Sequence, residues 1–154
     1  MDYNKPTDEL DRELSNVKPK NIDDYFKDNS RFLADEKKAF YYYMKDTIED
    51  KNILLKDVYL RADISESWGG KIITMERHTK NRDTILRLCF AAHFTLLEVN
   101  RALKLYGMNP LYSKDRRDAC LIVAISNRIY DLYDLNEFLI QNNHEPLTAE
   151  NQTE

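Results

Sequence analysis

Apolar residues recur every three or four positions along most of this chain, which is the period of an amphipathic helix. The clearest stripe lies in residues 35–51, where its members are Phe40, Tyr43, Met44 and Ile48. Residues 83–92 and 119–125 are apolar over most of a helical circumference, so we expect both to be deeply buried. The chain contains no alternating strand pattern and no internal repeat. The pattern therefore predicts an all-α protein.

Capping residues mark where these helices begin and end. The segment TLLE at 95–98 is a capping box, in which the Thr95 hydroxyl and the Glu98 carboxylate each accept a backbone N–H. Gly107 then suits the position after a helix end, and Pro110 prevents the helix from continuing. Further N-caps are expected at Thr7, Asn21, Ser65, Ser113 and Asp131.

Two short helices, at residues 56–62 and 66–74, are joined by a tight turn at Asp63 and Ile64. This is the arrangement of a helix-turn-helix. It lies in a central part, residues 35–107, which we interpret as one helix-turn-helix domain. The other parts are an acidic N-terminal segment with short helices (1–34), a C-terminal helical pair packed on the domain (108–147) and a disordered tail (148–154).

Charge is distributed unevenly along the chain. The formal net charge of -4 opposes general affinity for nucleic acid. However, residues 71–118 carry 10 Lys and Arg against 5 Asp and Glu, whereas residues 1–70 carry 12 against 16 and residues 119–154 carry 1 against 6. Local charge decides where a polyanion docks, so the basic middle is a candidate binding surface. A mixed surface with chance fluctuation is the alternative.

The sequence gives little support for chemistry or for a membrane. No apolar run approaches the length of a membrane span, and the acidic N-terminus does not resemble a signal peptide, so we expect a cytoplasmic protein. Cys89 and Cys120 lie in apolar helical patterns and are expected to stay reduced. The histidines and cysteines lack metal-ligand spacing, and no phosphate-binding loop or nucleophile elbow is present. We therefore predict no enzyme activity, no metal and no cofactor.

The chain resembles the Cro and phage-repressor (XRE-like) helix-turn-helix family. The residues that carry the likeness are Val58, Ile64, Ser65, Ile72, Leu86 and Leu88, with the loop ERHTK at 76–80. It is more similar, over nearly its whole length, to a group of uncharacterised helix-turn-helix proteins from gut Firmicutes. The stretches concerned are DVYLRADI, RDTILRLCFAAHFTLLEVNRALKLYGM and PLYSKDRRDA. This resemblance implies a five-helix, lambda-repressor-like core with short N-terminal helices and two extra C-terminal helices.

The resemblance also implies a transcriptional regulator that binds double-stranded DNA. In the family, the helix after the turn enters the major groove, and the loop that follows contacts the backbone. The positions that correspond to base-contacting residues are Ser65, Ser67 and Lys71. Those that correspond to phosphate contacts are Arg77, Lys80 and Arg82. Such proteins usually bind as dimers, and residues 113–141 are our candidate surface for a homodimer or a protein partner.

Some positions depart from the family pattern. Leu55 stands where glutamine is usual, Tyr59 where alanine is usual, and Met75 where glycine is usual. Glu66 is an acid at a position close to phosphates, and Gly69-Gly70 weakens the helix that should face DNA. An alternative hypothesis follows, in which the fold is a protein-interaction module with Trp68 and the two glycines as its contact patch. Arg116 and Arg117 could bind phosphate, or they could form a solvated helix face.

Overall fold

The computed structural model describes residues 6–29 and 38–148, and all regular structure in these residues is helical. The helices are α1 (Thr7–Ser15), α2 (Ile22–Asp28), α3 (Ala39–Asp50), α4 (Leu55–Ala62), α5 (Glu66–Ile73), α6 (Arg82–Ala91), α7 (Leu96–Leu105), α8 (Arg116–Ser126) and α9 (Leu132–Gln141), with a 3₁₀ turn at Pro19–Asn21. The prediction of an all-α fold is therefore confirmed for the described part of the chain. Residues 35–37, where the first long helix was expected to begin, and 149–154, most of the expected tail, lie outside it.

Five of the nine helices in the described residues begin with a side-chain cap, and three of these five caps were predicted. Thr95 and Glu98 form both hydrogen bonds of the capping box, and the side chains of Ser65 and Asp131 each accept a backbone N–H from the first turn. Three predicted caps are wrong, and one of them is Asn21, which precedes α2 but whose side chain accepts no capping N–H. The N-cap of α1 is Pro6, whose carbonyl accepts the first backbone hydrogen bonds, and Thr7 is already helical. The N-cap of α8 is Asp115 rather than Ser113.

Each of the helices α3 to α9 is followed, one or two positions after its last residue, by a residue with left-handed backbone conformation. The residues concerned are Asn52, Asp63, Met75, His93, Gly107, Arg128 and Asn143, with φ between 54° and 83°. This conformation lets the N–H of the following residue donate to a carbonyl in the last turn of the helix, as when Phe94 donates to the Cys89 carbonyl at 3.1 Å. The chain therefore turns sharply after every helix from α3 onward, although only one of these residues is glycine.

Helix α6 lies at the centre of the molecule, as its sequence predicts. Every residue from Asp83 to Ala91 is buried, and α4, α7 and α9 all pack against it. Helix α3 packs on α5 and α7, and α7 also contacts α8. The buried apolar side chains form one continuous cluster that runs from Phe40 in α3 to Leu147 after α9. Tyr25 of α2 is buried but does not belong to this cluster.

Helix α8 is less buried than its apolar sequence predicts. Leu121, Ala124 and Ile125 enter the core, whereas Val123 on the opposite side is 48% exposed and Cys120 is half-buried. The expectation of deep burial all round is therefore wrong, because α7 and α9 are the only helices of the described residues that pack closely against α8.

Candidate nucleic-acid interface

Helices α4 and α5 are joined by three residues that turn the chain tightly. Asp63 adopts a left-handed conformation with φ 54°, and the Ile64 N–H then donates to the Tyr59 carbonyl at 3.1 Å. Ile64 inserts into the core, so the connection has an apolar anchor. Ser65 caps α5, since its hydroxyl accepts the Trp68 N–H at 3.1 Å. The start of α5 is thereby fixed relative to α4.

Gly69 and Tyr59 form a matched pair between these two helices. Gly69 is buried, and a Cβ added to it would lie 2.5 Å from Cδ1 and 2.7 Å from Cε1 of the Tyr59 ring. The expectation that Gly69 lies on a DNA-facing surface is therefore wrong. The large residue on α4 and the missing side chain on α5 compensate each other, so the helices can still pack closely. Burial, and then the charge of Glu66, raise the pKa of the Tyr59 hydroxyl.

The N-terminal end of α5 is the part of this helix that faces solvent. Ser65, Glu66 and Ser67 are exposed, and Lys71 in the last turn is half-buried. Trp68 is only partly exposed and packs against the core, so it is not the free aromatic anchor of the alternative hypothesis. The exposed end of α5 therefore offers two hydroxyls and one carboxylate to a ligand.

The loop after α5 is held against α7. His78 stacks on Tyr106 with ring centroids 4.5 Å apart, and the Thr79 N–H donates to the Tyr106 hydroxyl at 2.8 Å. Met75, where the resembled family has glycine, opens this loop with φ 66°. Arg77 and Lys80 are both exposed. The loop is thus fixed at its middle, and its two cationic side chains remain in solvent.

Arg82 takes part in a crossed pair of salt bridges, which we call the arginine clamp: Arg82 with Asp118, and Arg117 with Asp83. Arg82 donates to both Asp118 oxygens at 2.9 and 3.0 Å, and Arg117 donates to both Asp83 oxygens at 3.0 Å. The clamp joins the N-terminal ends of α6 and α8. Arg82 also donates to the carbonyls of Asn109 and Pro110, so its guanidinium is committed within the protein.

The C-terminal segment joins the same network. Arg117 donates to the carbonyls of Glu145 and Pro146, and the Thr148 N–H donates to Asp83 at 3.0 Å. Leu147 is buried, and its N–H donates to the Asn136 side chain at 2.8 Å. The end of the described chain is therefore tied both to α9 and to the start of α6.

The clamp favours the ionised form of both aspartates. Burial by itself raises the pKa of Asp83, but the hydrogen bonds from Arg117 and Thr148 outweigh it, so the pKa lies below its ordinary value. The pKa of Asp118 is lowered in the same way, because the hydrogen bonds from Arg82 and the Tyr112 N–H outweigh burial. Sequence inspection missed the two aspartates, because their arginine partners lie 34 and 36 positions away.

The described residues offer little else for chemistry. Within residues 6–29 and 38–148, no three His, Cys, Asp or Glu side chains are grouped so that they could hold a metal ion. Burial raises the pKa of the fully enclosed Cys89 thiol, which is the opposite of what a reactive thiolate needs. No helix in the same residues combines the length and the apolar character that crossing a membrane requires.

Comparison of the chain with protein-family models, curated proteins and solved structures returns no match. Function therefore has to be inferred from the chain's own residues.

Proposed function

We propose that this protein is a DNA-binding transcriptional regulator that uses α4 and α5 as a helix-turn-helix. The observation that carries the proposal is the exposed polar end of α5 next to a fixed loop with two solvated cations. Ser65 and Ser67 lie at that end, and Arg77 and Lys80 follow in the loop. Hydroxyls can bond to base edges or phosphates, and arginine and lysine neutralise phosphates.

The connection between the helices also supports this proposal. A left-handed residue followed by a buried aliphatic and a capping serine gives α5 a defined start. In a helix-turn-helix, the second helix enters the major groove by its N-terminal end, so this end must be both rigid and exposed. Both conditions hold for Ser65 and Ser67.

The proposed contacts differ in role. Ser65, Ser67 and Lys71 are the candidates for base-edge contacts, and Arg77 and Lys80 for phosphate contacts. Arg82 was expected to bind phosphate, but it is held by Asp118 and two carbonyls. We therefore assign Arg82 a positioning role, in which it holds the start of α6 beneath the loop.

A salt titration of duplex binding tests the proposal. The full-length protein is titrated into a fluorescent duplex of random sequence from about 50 mM salt upward, and the logarithm of the association constant is plotted against that of the salt concentration. The slope is negative, and replacing both Arg77 and Lys80 with glutamine should reduce its magnitude by about 1.8, since each phosphate contact contributes about 0.9. The matched control replaces Lys18 and Lys20, exposed cations of the N-terminal segment. Absence of binding by the wild type at low salt would contradict the proposal.

A protein-interaction module is the second candidate, and Leu60 is the observation that favours it. This side chain on α4 is 79% exposed, and it borders a groove lined by Lys56, Asp57, Tyr59, Leu60, Ile64 and Glu66. If this face binds a protein instead of DNA, then Leu60→Asp should abolish capture of the partner, while the salt titration shows no duplex binding by either form.

A further inference from the structure

A second set of solvated cations lies beyond the loop, on residues to which the resemblance assigned no DNA contact. Lys104 in α7, Lys114 before α8 and Arg116 at its start are all exposed. None of the three has an ion-pair partner among residues 6–29 and 38–148. We call these three residues the second basic surface.

The arginine clamp places part of this surface beside the start of α6. Arg82 bonds to the carbonyls of Asn109 and Pro110 and to the side chain of Asp118, so residues 109–118 are anchored to the residue that follows the basic loop. Arg82, Asn109, Pro110, Tyr112, Asp115 and Asp118 line one concave surface. Lys114 and Arg116 are the chain neighbours of Asp115, which is one of these lining residues, and Lys80 precedes Arg82 by two residues.

Lys104 is brought close to the loop by a different contact. It precedes Tyr106 by two residues, and Tyr106 stacks on His78 and accepts the Thr79 N–H. These contacts place the backbone at Lys104 and at residues 109–118 beside the loop, at one end of the molecule.

The electrostatic balance of this end is positive. The Asp83 and Asp118 carboxylates are matched by Arg117 and Arg82, so they do not offset the exposed cations. Asp115 caps α8 by accepting the Asp118 N–H at 2.9 Å, and it is one of two exposed acids among residues 71–118, the other being Glu76. Among residues 71–118, five exposed cations, Arg77, Lys80, Lys104, Lys114 and Arg116, therefore stand against two exposed acids, and Glu145, whose carbonyl Arg117 binds, adds a third exposed acid at this end.

We infer that the second basic surface binds the sugar-phosphate backbone of the same duplex, beyond the stretch that α5 contacts. The inference rests on the proposed function and deepens it. Continuity with Arg77 and Lys80 favours one long polyanion over two separate ligands. Lysine, arginine and tyrosine side chains are typical of phosphate contacts, which position a protein without reading sequence, and Tyr112, two residues before Lys114, is 57% exposed.

Salt titrations of two full-length variants on duplexes of two lengths test the inference. Lys114→Gln/Arg116→Gln should lower the salt slope by about 1.8 on a duplex of about 25 base pairs, to a similar degree on unrelated sequences. The effect should largely disappear on a duplex of about 10 base pairs, which one helical turn of DNA spans. Lys104→Gln alone should lower the slope on the long duplex by about 0.9.

The controls separate this inference from the proposed function. Lys18→Gln/Lys20→Gln removes the same charge elsewhere and should leave the slope unchanged, and circular dichroism should show unchanged helix content for every variant. If the wild type binds and Arg77→Gln/Lys80→Gln lowers the slope while Lys114→Gln/Arg116→Gln and Lys104→Gln do not, the second basic surface is refuted and the proposed function stands. If the wild type binds no duplex, both are refuted.

Discussion

The Tyr59–Gly69 contact explains at the scale of single residues why a helix can carry two adjacent glycines. Only Gly69 needs to lack a side chain. We predict that Gly69→Ala lowers the free energy of unfolding by about 1–2 kcal/mol, because overpacking against the Tyr59 ring outweighs the better helix propensity of alanine. Gly70→Ala is the matched control. Its new Cβ would lie 3.9 Å from the Tyr59 hydroxyl, so it should stabilise the protein by about 0.5–1 kcal/mol.

Urea unfolding of the double variant decides whether the two residues compensate each other. In a Tyr59→Ala background the ring is gone, and Gly69→Ala should then be stabilising by about 0.5–1 kcal/mol. An equal effect of Gly69→Ala in both backgrounds would disprove the pairing. Both unusual residues were visible in the sequence, Tyr59 in place of alanine and Gly69 inside a helix. Their connection was not, because it depends on how α4 and α5 pack.

Arg128 illustrates the strain of the left-handed helix ends. It is exposed and has φ 57°, a conformation that costs a side chain about 1–2 kcal/mol. We predict that Arg128→Gly raises the free energy of unfolding by about 0.5–1 kcal/mol, since relief of strain exceeds the added flexibility of the unfolded chain. Lys45→Gly, at an exposed position inside α3, should instead lower it by about 1 kcal/mol. Chemical denaturation measures both, and destabilisation by both would contradict the prediction.

Single helices in this chain are predictable to the extent that their ends depend on adjacent residues. The capping box of α7 and the cap of α9 use side chains within three positions, and both were predicted correctly. The start of α8 was misplaced because Ser113 and Asp115 are both good caps. Arg82 and the Tyr112 N–H both donate to the Asp118 carboxylate. Asp118 is three residues after Asp115, and the Asp115 side chain accepts its N–H, so the helix starts after Asp115. Such tertiary contacts have no local signature.

The arginine clamp between α6 and α8 should make stability depend on acidity. Asp83 and Asp118 have lowered pKa values in the folded protein, against about 3.9 when unfolded. Their contribution is therefore fully present above about pH 5, and it is lost as the pH falls through the folded pKa values. We predict that Asp83→Asn/Asp118→Asn is much less stable than the wild type at neutral pH and that the difference shrinks below about pH 4.

Denaturation curves at several pH values test this dependence. Asp23→Asn/Asp24→Asn, which changes two exposed carboxylates of α2, should follow the wild type at every pH. A stability difference for the clamp variant that stays constant down to about pH 2 would show that the two carboxylates do not act through their charge.

On the scale of the whole molecule, residues 108–147, which were predicted to pack on the helix-turn-helix domain, share a continuous core with it. Leu121, Leu135 and Leu147 belong to the same buried cluster as Phe40 and Leu88. The arginine clamp and the Thr148–Asp83 bonds then tie residues 117–118 and 148 to the start of α6. The predicted boundary at residue 107 lies at a stop signal, which ends a helix, and a shared core favours one cooperative unit on both sides of it.

We therefore predict that residues 38–148 unfold in one cooperative transition. Trp68 in α5 is the only tryptophan, so its fluorescence reports on one side of the residue-107 boundary, whereas far-ultraviolet circular dichroism reports on all helices. In urea the two signals should change with the same midpoint.

Arg117→Gln removes one half of the clamp and should lower the free energy of unfolding by about 1.5–3 kcal/mol, moving both midpoints together. Arg116→Gln is the control: it changes the neighbouring arginine, which is exposed and has no ion-pair partner among the described residues, and it should move neither midpoint. Loss of more helix content than α1 and α2 account for, before the fluorescence change, would mean that the C-terminal pair unfolds separately, and the core would then consist of two units that share an apolar boundary.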